Sequence, residues 1–372
     1  MMRGLFAITL TAALGTATSL SGATSSKRSR PWTHYGIRPL AMGNAFVAVA
    51  DDYNSIFYNP AGLARIKSFD GEMLNPRIEL SKSVGELAQN VANLSNGSST
   101  SAVIDLIEQN TGKDQHLSLG LAPHLIFPNF GFGLGANSEA SFAWHRSLAI
   151  DILAGLDLVL PISFAINAFE DRLSIGASIK GRLRTGIDDR FSMDDFSAFT
   201  SSNKDNPDQP TLDDYVSGGY GIGADFGLLF TPTDVMEPTL GISVTDIGGT
   251  PFTTPSNLKS YASTPEIVEQ SINLGFSLKP IKQGPFQVLT TMDVHSINQG
   301  FAFSKKLNFG LEASYGSWAK LQTGLHQGYL SAGILLDIGF FNLSLATYGV
   351  ELSEYAGYRE QRRYTAQIKF LL

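Results

Sequence analysis

The chain has 372 residues, a formal net charge of −7 and no cysteine. The missing cysteine excludes a disulfide framework, a thiolate metal site and a cysteine nucleophile, and the modest negative charge does not favour a nucleic-acid partner. Only 16% of the residues are charged and 37 are glycine, against a usual charged share of about a quarter; that balance suits many β-strands in an apolar solvent.

Taken in chain order, residues 1–23 read as an export signal. Arg3 supplies the positive start, Leu5 to Leu14 a short apolar core, and Ser21-Gly22-Ala23 the small residues of a cleavage site. The apolar run is too short to serve as a membrane anchor. Beyond it there is no run of 18 apolar residues, so a chain that enters a membrane must do so as a closed barrel. Residues 24–70 form the next unit. Their core, AMGNAFVAVADDYNSIFYNPAGLARI at 41–66, is too polar to span a bilayer as a helix and too apolar for a solvated linker. Asn59 is placed to cap a short helix with Pro60 at its first position. Gly43 and Gly62 permit tight turns. Folded into a barrel lumen, this unit can act as a plug, with Asp51 and Asp52 meeting basic lumen residues.

From residue 71 to residue 372 the sequence alternates with period two. In RLSIGASIKGRLRTGI (172–187), Leu173, Ile175, Ala177, Ile179 and Leu183 share one face, and Ser174, Gly176, Ser178, Lys180, Arg182 and Arg184 the other. Residues 215–230, 305–315 and the final RYTAQIKFLL behave the same way. These runs exceed the five or six residues typical of soluble strands. The pattern predicts an all-β fold: an antiparallel transmembrane barrel of about 14 strands. They fall near 71–81, 116–127, 130–145, 154–168, 172–187, 214–230, 238–247, 268–279, 285–295, 305–315, 319–326, 329–338, 340–351 and 362–372. Parity supports the count. All the long connections follow odd-numbered strands, and short turns follow even-numbered ones, which puts both chain ends on the periplasmic side. In the first long connection, 82–115, the spacing of Val84, Leu87, Ala88, Val91 and Leu94, and of Val103, Ile104 and Ile107, predicts two short helices.

The stretch AMGNAFVAVADDYNSIFYNPAGLA resembles the N-terminal hatch of FadL-type outer-membrane transporters of long-chain fatty acids and other hydrophobic compounds. It is also similar to the related PorV-like proteins. Met42, Gly43, Ala45, Ala48, Asp52, Asn59, Pro60 and Ala61 carry the match. The resemblance implies a 14-stranded barrel, a hatch bearing the Asn-Pro-Ala element, capture of apolar ligands at external loops, and lateral exit through a strand distortion. It implies residence in the outer membrane of a Gram-negative-type bacterium, after export. Its partners would be outer-membrane lipid and a hydrophobic, fatty-acid-like ligand; for a PorV-like scaffold they would be envelope proteins. The chain departs from many such barrels in ending Phe370-Leu371-Leu372 rather than on an aromatic residue.

Within this frame, the hatch residues are Met42, Gly43, Asp51, Asp52, Asn59, Pro60 and Ala61. A ligand carboxylate needs a basic group, and Lys180, Arg182 and Arg184 line one face of one strand; alternatively they pair with Asp225, Asp293, Glu312 or the hatch acids. Phe191, Met193, Phe196 and Phe199 punctuate an acidic connection and are the external capture candidates. Pro123 and Pro161 each remove a ladder hydrogen bond and mark either a lateral gate or a tolerated bend. The six histidines show no close metal spacing, nothing resembling GxSxG marks a nucleophile, and no cofactor, metal or enzymatic activity is expected.

Overall fold

The computed structural model describes residues 36–87, 89, 100–192, 194–195, 212–254 and 263–371. The export signal, the start of the 24–70 unit, Ala88, Val91 and Leu94, and Met193, Phe196 and Phe199 lie outside the described residues.

One antiparallel sheet of seventeen strands closes on itself. Three pairs of short strands run as broken single spans: β1 (Asp70–Leu74) with β2 (Arg77–Ser81), β3 (Asp114–Leu121) with β4 (His124–Phe127), and β5 (Phe130–Gly133) with β6 (Gly135–His145). The rest are unbroken: β7 (Ala149–Ala168), β8 (Leu173–Ser192), β9 (Ser217–Phe230), β10 (Thr239–Thr245), β11 (Ser271–Gln283), β12 (Phe286–Val294), β13 (Leu307–Tyr315), β14 (Ala319–His326), β15 (Tyr329–Asp337), β16 (Phe341–Glu351) and β17 (Glu360–Leu371). The barrel thus has 14 spans. It closes where β17 pairs with β2, from Arg363↔Ser81 to Gln367↔Arg77, and with β1 at Glu72↔Leu371.

The solvent preference of the two faces is inverted relative to a soluble protein. Outward residues are large and apolar: Ile166, Ile179 and Ile222 are 63%, 65% and 72% exposed. Inward residues on the same strands include Lys180 and Asp225, which are buried. Charged side chains are almost never fully buried unless paired, and an exposed band of isoleucine, leucine and phenylalanine of this extent has no place in water. This is a membrane-spanning barrel.

The faces and the span count agree with the sequence reading, and the ends differ. β7 starts at Ala149 rather than 154, and β8 runs to Ser192 rather than 187. Both are 20 residues long, paired from Ala149↔Ser192 to Ala168↔Leu173. The added residues project beyond an apolar belt that strands of about 9–11 residues can cross. There Asp151 pairs with Arg190 at 2.6 Å, and with polar groups on both faces the alternation fades. Three spans are broken at Asn75-Pro76, Ala122-Pro123 and Leu134, and the alternation alone does not show these breaks. The long connections leave one end; β1 begins and β17 ends at the other, with the short turns. Helix α3 (Thr100–Asn110) lies in the first long connection, where Ile107 packs with Trp144 and Ile150.

Ahead of β1, residues 36–66 form α1 (Ile37–Ala41), α2 (Ser55–Tyr58) and a 3-10 helix (Pro60–Arg65). Residues 36–50 are buried throughout. This inner segment hydrogen-bonds to inward-facing residues of β10, β11, β12, β13 and β15, so it lies within the barrel.

Candidate functional site

The inner segment is held by charge at one point and by backbone contact elsewhere. Arg38 makes a two-pronged bond to Glu312 of β13, with Nε to Oε2 at 2.7 Å and Nη2 to Oε1 at 2.8 Å. Its third nitrogen donates to Asp51 Oδ1 at 2.6 Å and Asp52 Oδ2 at 2.9 Å. A planar guanidinium is the side chain that can serve three carboxylates in fixed geometry. Partial loss of water works against a charged Asp51, a third of whose side chain stays exposed, yet the Arg38 guanidinium outweighs it and holds the carboxyl down at about 2. Asp51 and Asp52 therefore meet a cation of their own segment, whereas the sequence pairs them with Lys180, Arg182 and Arg184. The strand cations are taken by nearer acids.

Asp293 of β12 provides a second anchor. Its Oδ2 accepts from the backbone N–H groups of Phe46 at 2.6 Å and Val47 at 2.8 Å. Asn59 is the third. Its Oδ1 accepts from Ala61 N at 3.2 Å, capping the 3-10 helix with Pro60 in the first turn, as the sequence predicts. Its Nδ2 lies 2.9 Å from Val47 O, 3.2 Å from Leu228 O and 3.3 Å from Ile242 O, so one amide ties the segment to itself and to two strands. Ala61 is fully buried beside Leu229.

The lumen-facing glycines are docking points. A Cβ on Gly227 would stand 1.9 Å from Asn59 Oδ1; on Gly176, 2.3 Å from Ala61 N; on Gly310, 2.6 Å from Met42 O; and on Gly241, 2.7 Å from Val47 O. At these four positions the segment presses against the wall where a wall side chain is missing. Gly43 does sit in a left-handed turn, with φ +63°. Gly62 is there for another reason, since its Cβ would lie 1.9 Å from Ala50 O.

The basic row is satisfied from within the lumen. Lys180 Nζ lies 2.6 Å from Asp225 and 2.9 Å from Asp246; Arg182 meets Asp246 at 3.1 Å, and Arg184 meets Asp157 at 2.6 Å. Residues 250–253, in the connection after β10, fold over this row. Phe252 is buried beneath the Arg184 guanidinium, 5.3 Å from its ring centre. Of the internal-pairing partners expected from sequence, Asp225 pairs with Lys180, while Asp293 and Glu312 serve the inner segment instead.

The capture candidates separate. Phe191 is a correction: it belongs to strand β8, is fully buried, and packs edge-on to Tyr215 with ring centres 5.0 Å apart. It lies inside the lengthened β7–β8 ribbon rather than on a loop.

Pro123 and Pro161 flank a break in the wall. β5 pairs with β7 as far as Phe132↔Ile162, and β6 resumes at Gly135↔Val159, so Leu160 and Pro161 are skipped on that side. Pro123 lies between β3 and β4, where its carbonyl accepts from Leu134 N at 2.9 Å. The Asn75 side chain patches the neighbouring gap, donating to Ala122 O at 2.7 Å and accepting from Ala122 N at 2.6 Å. Behind the break, Tyr53, Ile56 and Leu63 of the inner segment pack with Ala122, Ile126 and Val159. An apolar surface thus faces the wall where its hydrogen-bond ladder is interrupted.

Arg38 was not among the residues singled out from sequence. It is the sole cation between Gly36 and Ala64, with Asp51 and Asp52 the sole acids, and that isolation was the available signal.

No family model and no curated protein matches the sequence. Solved structures do. The CymD monoaromatic hydrocarbon channel superposes with a TM-score of 0.53 at 13% identity, over 92% of this chain and 98% of its own. The toluene transporter TodX of Pseudomonas putida gives 0.52 at 13% identity, over 91% and 97%. At that identity the likeness speaks for the fold: the chain has the 14-spanned barrel of these hydrocarbon channels, the fold that the FadL-type resemblance implied.

Proposed function

We propose that this barrel is a passive outer-membrane transporter of hydrophobic small molecules, with residues 36–66 as the hatch that closes its lumen. The observation that carries the proposal is the seating of that segment. Its charged and amide anchors are Arg38–Glu312, Asp293 and Asn59, joined by single hydrogen bonds from Ser243, Ser277 and Ser331 to its carbonyls, beside a basic row that is already paired with Asp225, Asp246 and Asp157. Such a plug can be released by breaking a small number of bonds, whereas a segment packed only as core cannot. The names of the structurally similar channels, toluene transporter and monoaromatic hydrocarbon channel, suggest small apolar compounds as cargo; fatty acids carry the same apolar requirement with a carboxylate added.

In this reading ligand enters at the end with the long connections, passes the hatch, and leaves sideways at the break between Pro123 and Pro161. A carboxylate ligand would reach Lys180 and Arg182 by displacing Asp246, and Arg184 by displacing Asp157. The deciding experiment is uptake of labelled toluene and labelled oleate by cells with and without the protein, with the detergent-purified barrel tested for ligand binding in parallel. Uptake that depends on the protein supports the transporter. Unchanged uptake with co-purifying envelope proteins rejects it in favour of a PorV-like docking scaffold.

A further inference from the structure

The first two spans bring three metal-type donors to one point. β1 and β4 run antiparallel with Glu72 opposite His124, and Asp70 lies two residues along β1, on the same face. The ladder therefore sets Asp70, Glu72 and His124 with one donor atom each, all within 4.8 Å of one another. His124 Nε2 stands 3.7 Å from Asp70 Oδ2 and 4.0 Å from Glu72 Oε2. These gaps are too long for hydrogen bonds. Nε2 has no hydrogen-bond partner among the described residues, although the imidazole is fully buried. An ion about 2.0–2.2 Å from each donor fits such spacings with shifts of a few tenths of an ångström.

The surroundings prepare the same atoms. His124 Nδ1 lies 2.9 Å from Ala122 O. An N–H donated there leaves the Nε2 lone pair bare and aimed at the two carboxylates, the arrangement that orients a ligating histidine. The ring is clamped against Tyr53 of the inner segment, with centres 4.2 Å apart and planes 4° from parallel. Glu72 Oε2 accepts from Asn75 Nδ2 at 3.1 Å, and Lys369 Nζ sits 3.2 Å from the other oxygen, Oε1, and 4.0 Å from the Tyr53 ring centre. Asp70 is 39% exposed, which leaves a side for water ligands and for the ion to enter.

We propose that Asp70, Glu72 and His124 bind a divalent transition metal of the zinc class. One imidazole nitrogen beside two carboxylates favours such an ion over calcium or magnesium, which take oxygen donors. Bound there, the ion staples the first span to the second beside the wall break. Through the ring clamped on Tyr53, it also steadies the inner segment. The site owes nothing to the transport reading. The competing account is a cluster held together by its own side chains with no ion, which takes up no zinc.

The test uses the full chain folded in detergent, stripped with a chelator, and titrated with zinc chloride alone by calorimetry. Cobalt(II) absorption gives a spectroscopic check. One zinc per chain is expected, with affinity lowered about 100-fold or more in His124→Gln and in Asp70→Asn. His145→Gln should bind like wild type, since His145 is engaged with Asp151 at 2.8 Å in another part of the barrel; it controls for zinc held by an accessible histidine. Heat-dependent gel mobility reports whether each variant is folded. Should His124→Gln not fold, the partly exposed Asp70→Asn and the wild-type cobalt spectrum decide. Folded wild type that takes up no zinc, or zinc binding undiminished by these ligand substitutions, overturns the proposal.

Discussion

At the scale of single residues, the lumen is governed by charge pairing among buried side chains. Arg38 is the strongest case, because Glu312 is almost wholly buried with it. Removing one partner of a buried pair costs about 3–5 kcal/mol, since the other charge is stranded. Arg38→Met is therefore expected to unseat residues 36–66 rather than unfold the barrel. Single-channel recordings should show raised basal conductance, and limited proteolysis a new cut within the segment; a variant as closed and as resistant as wild type would dismiss the anchor. The linkage of Asp51 has a definite sign. Its carboxyl is held at about 2 against an unfolded value near 3.9, so its contribution is complete above about pH 4 and is lost as pH falls toward 2. Basal conductance should stay flat from pH 5 to 8 and rise only in that acid window. Asp246 makes the opposite kind of test. In Asp246→Asn, Lys180 keeps Asp225 while Arg182 loses the carboxylate seen beside it, so oleate affinity should rise severalfold and toluene affinity should not move. Equal changes for both ligands would remove the basic row from head-group binding. These roles were only partly legible in sequence. Lys180, Arg182 and Arg184 were visible as a row because period two places them on one face, but their partners come from β7, β9 and the connection after β10, distances along the chain that no spacing rule reaches.

At the scale of elements, two devices carry the proposed mechanism, and each has its own test. The first is the close contact between hatch and wall. A Cβ on Gly275 would lie 3.0 Å from Val47 Cβ, but also 2.7 Å from Ala48 N and 2.6 Å from Asp293 Oδ1, so a disulfide, which needs about 3.8 Å between the two Cβ atoms, forms with the inner segment moved slightly away from β11. The chain has no cysteine of its own, so a Val47→Cys, Gly275→Cys pair forms an unambiguous lock. Uptake should stop when the pair is oxidised and return on reduction; uptake indifferent to oxidation, with the crosslink confirmed by mass, would show that the hatch need not move at this point. The second device is the break at Pro161. Pro161→Val restores an N–H to β7, and if the interrupted ladder is the exit, the variant should keep ligand binding but lose most transport. The Asn-Pro-Ala element of the inner segment could be read from sequence because a cap acts within three residues. The broken spans could not be read as breaks, because β3 with β4 and β5 with β6 keep apolar–polar alternation close to the interruption. Pro123 and Pro161 marked the place without disclosing that both flank one gap.

At the scale of the whole molecule, a single inversion determines the architecture. The wall keeps lysine, arginine, aspartate and glutamate inside and isoleucine, leucine and phenylalanine outside, and the 14-span count follows from where that alternation starts and stops. This level was the most legible in sequence, since lipid imposes the same rule on every span, whereas strand ends such as Ala149 and Ser192 lie in water where the rule lapses. The inversion makes an asymmetric prediction within β9. Ile222 faces out and is 72% exposed, while its neighbour Gly223 faces in, where a Cβ would meet Thr250 Oγ1 at 2.3 Å. Ile222→Arg should cost about 2–4 kcal/mol if it sits near the bilayer midplane, less toward the interface, measured as a lower midpoint for unfolding from lipid vesicles. The same substitution in detergent micelles, which let the side chain reach water, should cost much less. Gly223→Ala should destabilise both preparations alike, because its clash is with protein. Equal losses for Ile222→Arg in vesicles and micelles would mean that this face does not look into a bilayer, and the inverted assignment of the whole wall would fail with it.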